Sequence, residues 1–315
     1  REAFKGKSYP MQTSLQTTPP EQSLRDILKT YSDLMKWRIV LLLVFTTITA
    51  MIVAANGLPT ISVFFATTLA GVLAAGGSSA LNQYIDRDMD SKMQRTARRP
   101  IPSGRIRPVN ALIFGLALIA WSVLILGIFV NWLSALLAFI GCINYVVVYT
   151  MLLKRNTVVN IIIGGGAGAM PVLVGWAAVT GTLSIEAWLL FAIIFYWTPP
   201  HSWALAILVN KDYAAAGVPM MPVARGEETT RVQIVLYSIQ LVAITLIPAI
   251  ALWLGVEMLG ILYVLAAAVL GFFMIYLPVK LMRSPSKPMA RQVYKYSSMY
   301  LAFLFLAMIL DRLIL

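Results

Sequence analysis

Three polar residues at the end of an apolar run carry the clearest chemical pattern in this sequence. They are Asn82, Asp86 and Asp90, within Asn82-Gln83-Tyr84-Ile85-Asp86-Arg87-Asp88-Met89-Asp90. No Pro or Gly breaks the preceding run at Leu81, so a helix that continues through it stacks the three side chains on one face, about 6 Å apart per step, and turns Asp88 elsewhere. Two carboxylates one turn apart, aided by an amide oxygen, suit Mg²⁺, which is commonly held by one or two carboxylates together with substrate phosphate oxygens. Ordinary solvated charges at a helix end would have the same spacing. The next stretch favours the chemical reading, because Lys92, Arg95, Arg98 and Arg99 follow closely, before Pro100-Ile101-Pro102-Ser103-Gly104. Arginine forks match phosphate oxygens two bonds at a time, so the mixture fits a site that holds a diphosphate and stabilises it as it leaves. For any one arginine, plain positive charge beside a membrane span is the alternative.

These residues sit in a chain built for lipid. Of its 315 residues 59% are hydrophobic and 12% charged, whereas soluble domains carry about one quarter charge. Uncharged runs reach the roughly 20 residues needed to cross a bilayer. Candidate spans are 37–55, 61–81, 109–130, 132–153, 157–180, 187–209, 232–254, 258–279 and 296–310, the last of them short, with Lys295 and Asp311 at its ends. Nothing alternates like a membrane strand, and only helices satisfy their own backbone in lipid segment by segment, so the expected class is all-α, a polytopic bundle of about nine helices. Residues 1–30 read as a mobile extension, and 31–315 as a single transmembrane domain. Cys142 is the sole cysteine and lies in an apolar run, as a small packing residue does.

The net charge of +12 needs no nucleic acid. Of 25 Lys and Arg, 24 fall in segments assigned to one side of the membrane: seven in 1–38, seven in 82–107, Lys154 and Arg155, three in 209–231 and five in 280–295. That asymmetry is the orientation signal of a membrane protein. Two connections on the basic side, 82–107 and 210–231, exceed what a helix hairpin requires, and functional groups concentrate in such loops.

The acidic and basic stretch from Asn82 to Pro100 resembles the first signature of the intramembrane UbiA prenyltransferase superfamily. Tyr149-Thr150, Leu153-Lys154-Arg155-Asn156-Thr157, Asn160-Ile161, Gly164 to Gly168, Trp197-Thr198-Pro199-Pro200-His201-Ser202-Trp203, Asp212-Tyr213 and Gly217-Val218-Pro219-Met220-Met221-Pro222 resemble its protohaem IX farnesyltransferase (haem O synthase) branch. The likeness spans about residues 30–300. Ser202 stands where a bulky aromatic residue is expected, and Val172 where a second proline is usual. The resemblance implies that Asn82, Asp86 and Asp90 form the catalytic site, holding Mg²⁺ on farnesyl diphosphate. It implies diphosphate contacts from Arg95, Arg98, Lys154, Arg155, Asp212 and Tyr213, with haem b as acceptor and haem O as product. The second acidic cluster of members with aromatic acceptors is reduced here to Asp212, which leaves a second Mg²⁺ unsupported.

His201, the only histidine, would ligate haem iron or position the acceptor on this resemblance; a hydrogen-bonded structural histidine is the bland reading. Gly164, Gly165, Gly166 and Gly168 serve close helix packing or make room for a flat macrocycle. Trp188, Tyr196, Trp197 and Trp203 line an isoprenoid tunnel or anchor the interface. The partners implied are farnesyl diphosphate, haem b and the lipid bilayer, with haem A synthase or a terminal oxidase as candidate assembly partners. Acidic residues in the N-terminal segment argue against a transit peptide and favour a bacterial inner membrane with the site facing the cytoplasm. Two rivals stand beside this reading. One is a UbiA-type enzyme with a quinone-precursor acceptor. The other is a non-enzymatic haem-handling or transport protein, which the lack of an evident internal repeat and the gathering of charge at one face disfavour.

Overall fold

The computed structural model describes residues 23–255 and 258–314. In chain order the helices are α1 (Leu24–Met35), α2 (Trp37–Ala55), α3 (Ile61–Ile85), α4 (Arg87–Asp90), α5 (Pro108–Phe129) and α6 (Trp132–Ile143), which continues as a π-helical segment (Asn144–Leu153). Then follow α7 (Asn160–Thr180), α8 (Ile185–Leu208), α9 (Asn210–Ala215), α10 (Met221–Ala224), α11 (Gly226–Thr245), α12 (Ile247–Trp253), α13 (Ile261–Arg283) and α14 (Lys287–Ile314). Among the described residues there is no strand. The protein is an all-α integral membrane protein. Among the described residues eight helical stretches, counting α6 with the π segment and α11 with α12, are long and apolar enough to cross a membrane. The ninth, α8, has 24 residues but is diluted by Thr198, Pro199, Pro200, His201 and Ser202, and it runs on through the two prolines without a break.

The last span is longer than its apolar run predicts. Helix α14 has 28 residues because it starts at Lys287, well before Tyr296. Its Asp311 does not meet lipid: the carboxylate is buried and accepts the backbone N–H groups of Gly260 and Tyr263 at the start of α13 (2.6 and 3.2 Å). Unpartnered N–H groups at a helix start favour such an anion.

The segment assigned to the extension overlaps α1 from Leu24; residues 1–22 lie outside the described residues. Ser23 caps α1, accepting the Asp26 N–H. Leu34 and Tyr31 pack with Ala80, Ile101, Ile106, Ala111 and Phe114, so α1 and the loop at 91–107 share one small core. Gln83 of α3 donates to the Leu34 carbonyl (3.0 Å) and Arg105 pairs with Asp33 (2.7 Å), tying down the end of α1.

Small residues let the long helices approach closely, as packing in lipid favours. A Cβ at Gly77 would lie 2.7 Å from the Gly115 carbonyl oxygen, and one at Gly175 would lie 2.4 Å from that of Thr47. These contacts fix the α3–α5 and α2–α7 crossings. A large core of residues from α2, α6, α7, α8, α11, α13 and α14, including Trp176, Trp197, Tyr263, Tyr300 and Phe305, fills the bundle. A second core joins the two long connections: Met89 and Met93 of the first meet Val218, Met220 and Met221 of the second around Trp203. The two connections therefore form one structure over one end of the bundle.

Candidate active site

The α3 face that carries Ser78 leads one turn on to Asn82 and a further turn on to Asp86, both buried, and α4 adds the buried Asp90. The α-helical pattern is interrupted at Asp86 (φ −85°, ψ 3°), which separates α3 from α4. Asn82 donates to Asp86 Oδ2 (2.8 Å) and to Thr150 Oγ1 (3.2 Å), while its Oδ1 accepts Lys36 Nζ (2.6 Å). Lys154 pairs with Asp86 Oδ2. Arg99 binds both oxygens of Asp90 through Nη1 (2.8 and 2.7 Å), and Thr96 Oγ1 donates to the Asp90 carbonyl. Arg155 forks onto Asp88 with two bonds of 2.8 Å and reaches Asp86 Oδ1 at 3.6 Å. Asp88, which points away from the other two, thus holds a guanidinium at the rim.

Burial sets the electrostatics. It pushes the Lys36 ammonium well below its ordinary range, assisted by the cations Arg99 and Lys154. It lowers Lys154 too, against the pull of Asp86. The Arg155 fork holds the Asp88 carboxyl at about 2. Such a concentration of cations is unfavourable by itself and is relieved by an anion.

The donor set fits Mg²⁺. Asp86 and Asp90 supply hard carboxylate oxygens, Asn82 an amide oxygen, and Asp86 Oδ1 is buried without a hydrogen-bond partner. Among the described residues no group of three or more His, Cys, Asp or Glu side chains is placed to hold a metal. Such a set suits an ion that completes its shell with phosphate oxygens rather than one caged by protein alone.

The second connection reaches the same place. Tyr213 of α9 faces Arg95 and Arg99, with Asp212 half-buried beside it, and burial pushes the Tyr213 phenol upward. Arg98 does not join the carboxylates: it is exposed, and its carbonyl accepts Arg105. Lys36 and Thr150 take part without having been assigned a role from the sequence, and Arg99 takes part where the sequence offered only a group of cations. Arg99 lay in the recognised motif, but the turns of 91–107 decide which of two adjacent arginines faces inward. Lys36 adopts a left-handed conformation (φ 54°) between α1 and α2, and nothing in local spacing links it to Asn82, 46 residues away.

Beneath this charged end lies an apolar cavity of about 380 Å³ between α2, α3, the π-helical segment, α7 and α8. Ser78 and Tyr145 line its walls with Gly168, His201 and Ser202. The π-helical segment closes i→i+5 bonds, as in Lys154 N–H to the Tyr149 carbonyl (2.8 Å). The widened turn lets Tyr145, Tyr149 and Lys154 serve the cavity and the cations in succession; the two phenol rings stack at 5.8 Å. The glycines divide their roles. A Cβ at Gly164 would strike Tyr149 at 2.3 Å, whereas one at Gly168 would meet nothing within 4 Å. Trp197 lines the cavity, while Trp203 is fully buried in the core of the connections and Trp188 is exposed.

His201 lies between the Trp197 ring (4.3 Å) and the Tyr294 ring (4.7 Å), with Nδ1 2.8 Å from Ser297 Oγ. Trp197 Nε1 donates to the Ser297 carbonyl (2.6 Å).

A family model described as the UbiA prenyltransferase family matches residues 43–307. The protoheme IX farnesyltransferase of Roseiflexus sp. (strain RS-1) is 50% identical over 288 residues, 91% of this chain and 53% of that protein. The protein of the same name from Gloeothece citriformis (strain PCC 7424) is 48% identical over 91% of this chain and 88% of its own length. The chain spans about half the length of the first curated relatives it matches. Among solved structures, one of digeranylgeranylglyceryl phosphate synthase superposes with a TM-score of 0.77 at 20% identity, covering 93% of this chain and 100% of that one. A UbiA homolog from Archaeoglobus fulgidus bound to DMAPP and Mg²⁺ gives 0.63 at 17% identity, covering 89% and 99%. These structural likenesses show a shared fold.

Proposed function

The chain belongs to the UbiA prenyltransferase family, and from that premise we propose that it transfers the farnesyl group of farnesyl diphosphate to a vinyl group of protohaem IX with addition of water, giving haem O and diphosphate. The observation that carries this reading is the division of the site. A buried carboxylate cluster enriched in cations caps an apolar cavity that reaches His201. A prenyl diphosphate has the same division, a highly charged head on an apolar tail. The names of the relatives supply the acceptor.

Asn82, Asp86 and Asp90 would hold Mg²⁺, which neutralises diphosphate charge when bound. A UbiA homolog with DMAPP and Mg²⁺ bound supports divalent-metal use in the family. Lys36, Lys154, Arg155 and Arg99 stand ready around the carboxylates to take the charge that builds on the departing diphosphate as the C–O bond breaks. Tyr213, with Asp212 beside it, closes the site from the other connection and faces Arg95 of the first. The farnesyl carbon then has allylic-cation character, and the walls around Tyr145 and Tyr149 exclude water from it. The electron pair of the haem vinyl group forms the new C–C bond. Water captures the resulting cation next to the porphyrin and loses a proton, leaving the hydroxyl group. The grouping of cations at one end supports a site facing the cytoplasm of a bacterial inner membrane, the orientation in which basic loops stay inside.

The test is mass spectrometry of pigments after incubating the purified chain with haem b, farnesyl diphosphate and Mg²⁺, with and without a chelator. Metal-dependent appearance of haem O is the expected result. Prenylation of a quinone precursor with haem b unchanged would replace the acceptor and leave the charged site standing. Folded protein that transfers to neither would overturn the enzymatic reading.

A further inference from the structure

His201 is held by a hydrogen-bond chain whose protons can be counted. Ser297 Oγ lies 2.8 Å from His201 Nδ1 and 2.8 Å from the Tyr294 carbonyl oxygen. Each contact is short enough to require a proton between its two heavy atoms, since facing lone pairs at that distance repel. The carbonyl has none to give and the hydroxyl has one. The hydroxyl proton therefore goes to the Tyr294 carbonyl, and the second proton must reside on Nδ1, with Ser297 accepting it. In a neutral ring this leaves Nε2 as a bare lone pair.

Trp197 and Tyr294 cover the two ring faces. Ser297 also fixes Trp197, whose indole N–H ends on its backbone carbonyl. One residue of α14 therefore locks both the tautomer of His201 and the aromatic ring stacked on it, and His201 lines the cavity.

We propose that Ser297 is a positioning residue that holds His201 as the Nδ1–H tautomer, so that Nε2 meets the iron of the porphyrin acceptor in the cavity. This rests on the reading that the acceptor is haem b. Ligating histidines in general donate their second ring N–H to a partner that sets orientation and basicity, and loss of such a partner weakens metal affinity by about 10- to 100-fold.

The chain has a single histidine, so ¹⁵N-histidine NMR of the full chain in detergent, purified without a histidine tag, reads His201 alone. The expected spectrum has a protonated Nδ1 and a bare Nε2; a protonated Nε2 in the unsubstituted protein overturns the proposal. Haem b titration followed by absorption spectroscopy supplies the second readout. Compared with the unsubstituted protein, His201→Ala should lose the imidazole-ligated spectrum. Ser297→Ala should bind haem b about 10- to 100-fold more weakly with a mixed spectrum, and Ser297→Thr, which keeps the hydroxyl, should restore both. If His201→Ala keeps the original spectrum, ligation falls and the proposal with it. If His201→Ala changes the spectrum but Ser297→Ala, shown to be folded by size-exclusion chromatography, does not, the role of Ser297 alone is overturned. Should Ser297→Ala fail to fold, the NMR result on the unsubstituted chain decides.

Discussion

Two buried aspartates mark opposite uses of the same side chain. Asp311 and Asp86 are 2% and 0% exposed. Both oxygens of Asp311 accept backbone N–H groups at the start of α13, and its hydrogen-bonding needs are met within the fold. Asp86 has one oxygen on Asn82 and Lys154, while the other is buried with no hydrogen bond, with Arg155 at 3.6 Å. Around it stand Lys36 and Arg99 as well. Burial of a carboxylate therefore does not by itself point to chemistry. An unfilled oxygen among more cations than the carboxylates require does, because such a site is completed by an anionic substrate and a metal.

The contrast breaks most visibly under deletion. Asp86→Ala or Asp90→Ala should lower farnesyl transfer by about 10³-fold or more while the protein still elutes as a folded monodisperse species, measured by product mass spectrometry and size-exclusion chromatography. Retained turnover in either would remove these residues from the site. Lys154→Met should cost about 10²- to 10³-fold in kcat, the range for loss of one charge-stabilising group. A loss confined to KM would make Lys154 a binding group alone. Gly168→Leu projects a side chain into the cavity and should slow transfer of a farnesyl donor by about tenfold, with a smaller effect on a shorter prenyl donor, since overpacking costs roughly 1–3 kcal/mol. Equal losses with both donors would mean that the tail lies elsewhere.

Asp311→Ala should do the reverse of Asp86→Ala. Loss of a charged acceptor on two backbone N–H groups should destabilise the fold by about 1.5–3 kcal/mol, read as a lower Tm, with activity per folded molecule nearly unchanged. A selective loss of activity would erase the distinction between the two aspartates. The smallest effect belongs to Asp88→Asn. It releases Arg155 from its fork at the exposed rim and should change turnover by less than about tenfold, because exposed ion pairs contribute little.

Much of this was legible in the chain before any coordinates. The long uncharged runs dictated helices, because lipid offers the backbone no other partner, and spacing by four dictated that Asn82 and Asp86 share a face. The motifs around Asp86 and Lys154 pointed to the chemistry proposed for them, since the residue types that hold a diphosphate are few. Other features had no local signal. Helix α14 begins before its apolar run because polar first turns are equally helical, and the length of a span is set by packing as well as hydropathy. The π-helical register at Asn144–Leu153, which carries both Tyr149 and Lys154 to the site, has no compositional mark. Which of Arg98 and Arg99 turns inward was decided by the loop between α4 and α5.

What the sequence by itself determined was the solvent, the approximate number of spans and the inventory of charged and apolar groups, all consequences of residue type and short-range spacing. What only the tertiary structure decided was pairing over long separations: Lys36 with Asn82, Asp86 with Lys154, His201 with Ser297, and Asp311 with the start of α13. The physical reason is that hydrogen bonds and ion pairs act over a few ångströms, so their partners are chosen by how helices cross and not by any pattern within one helix.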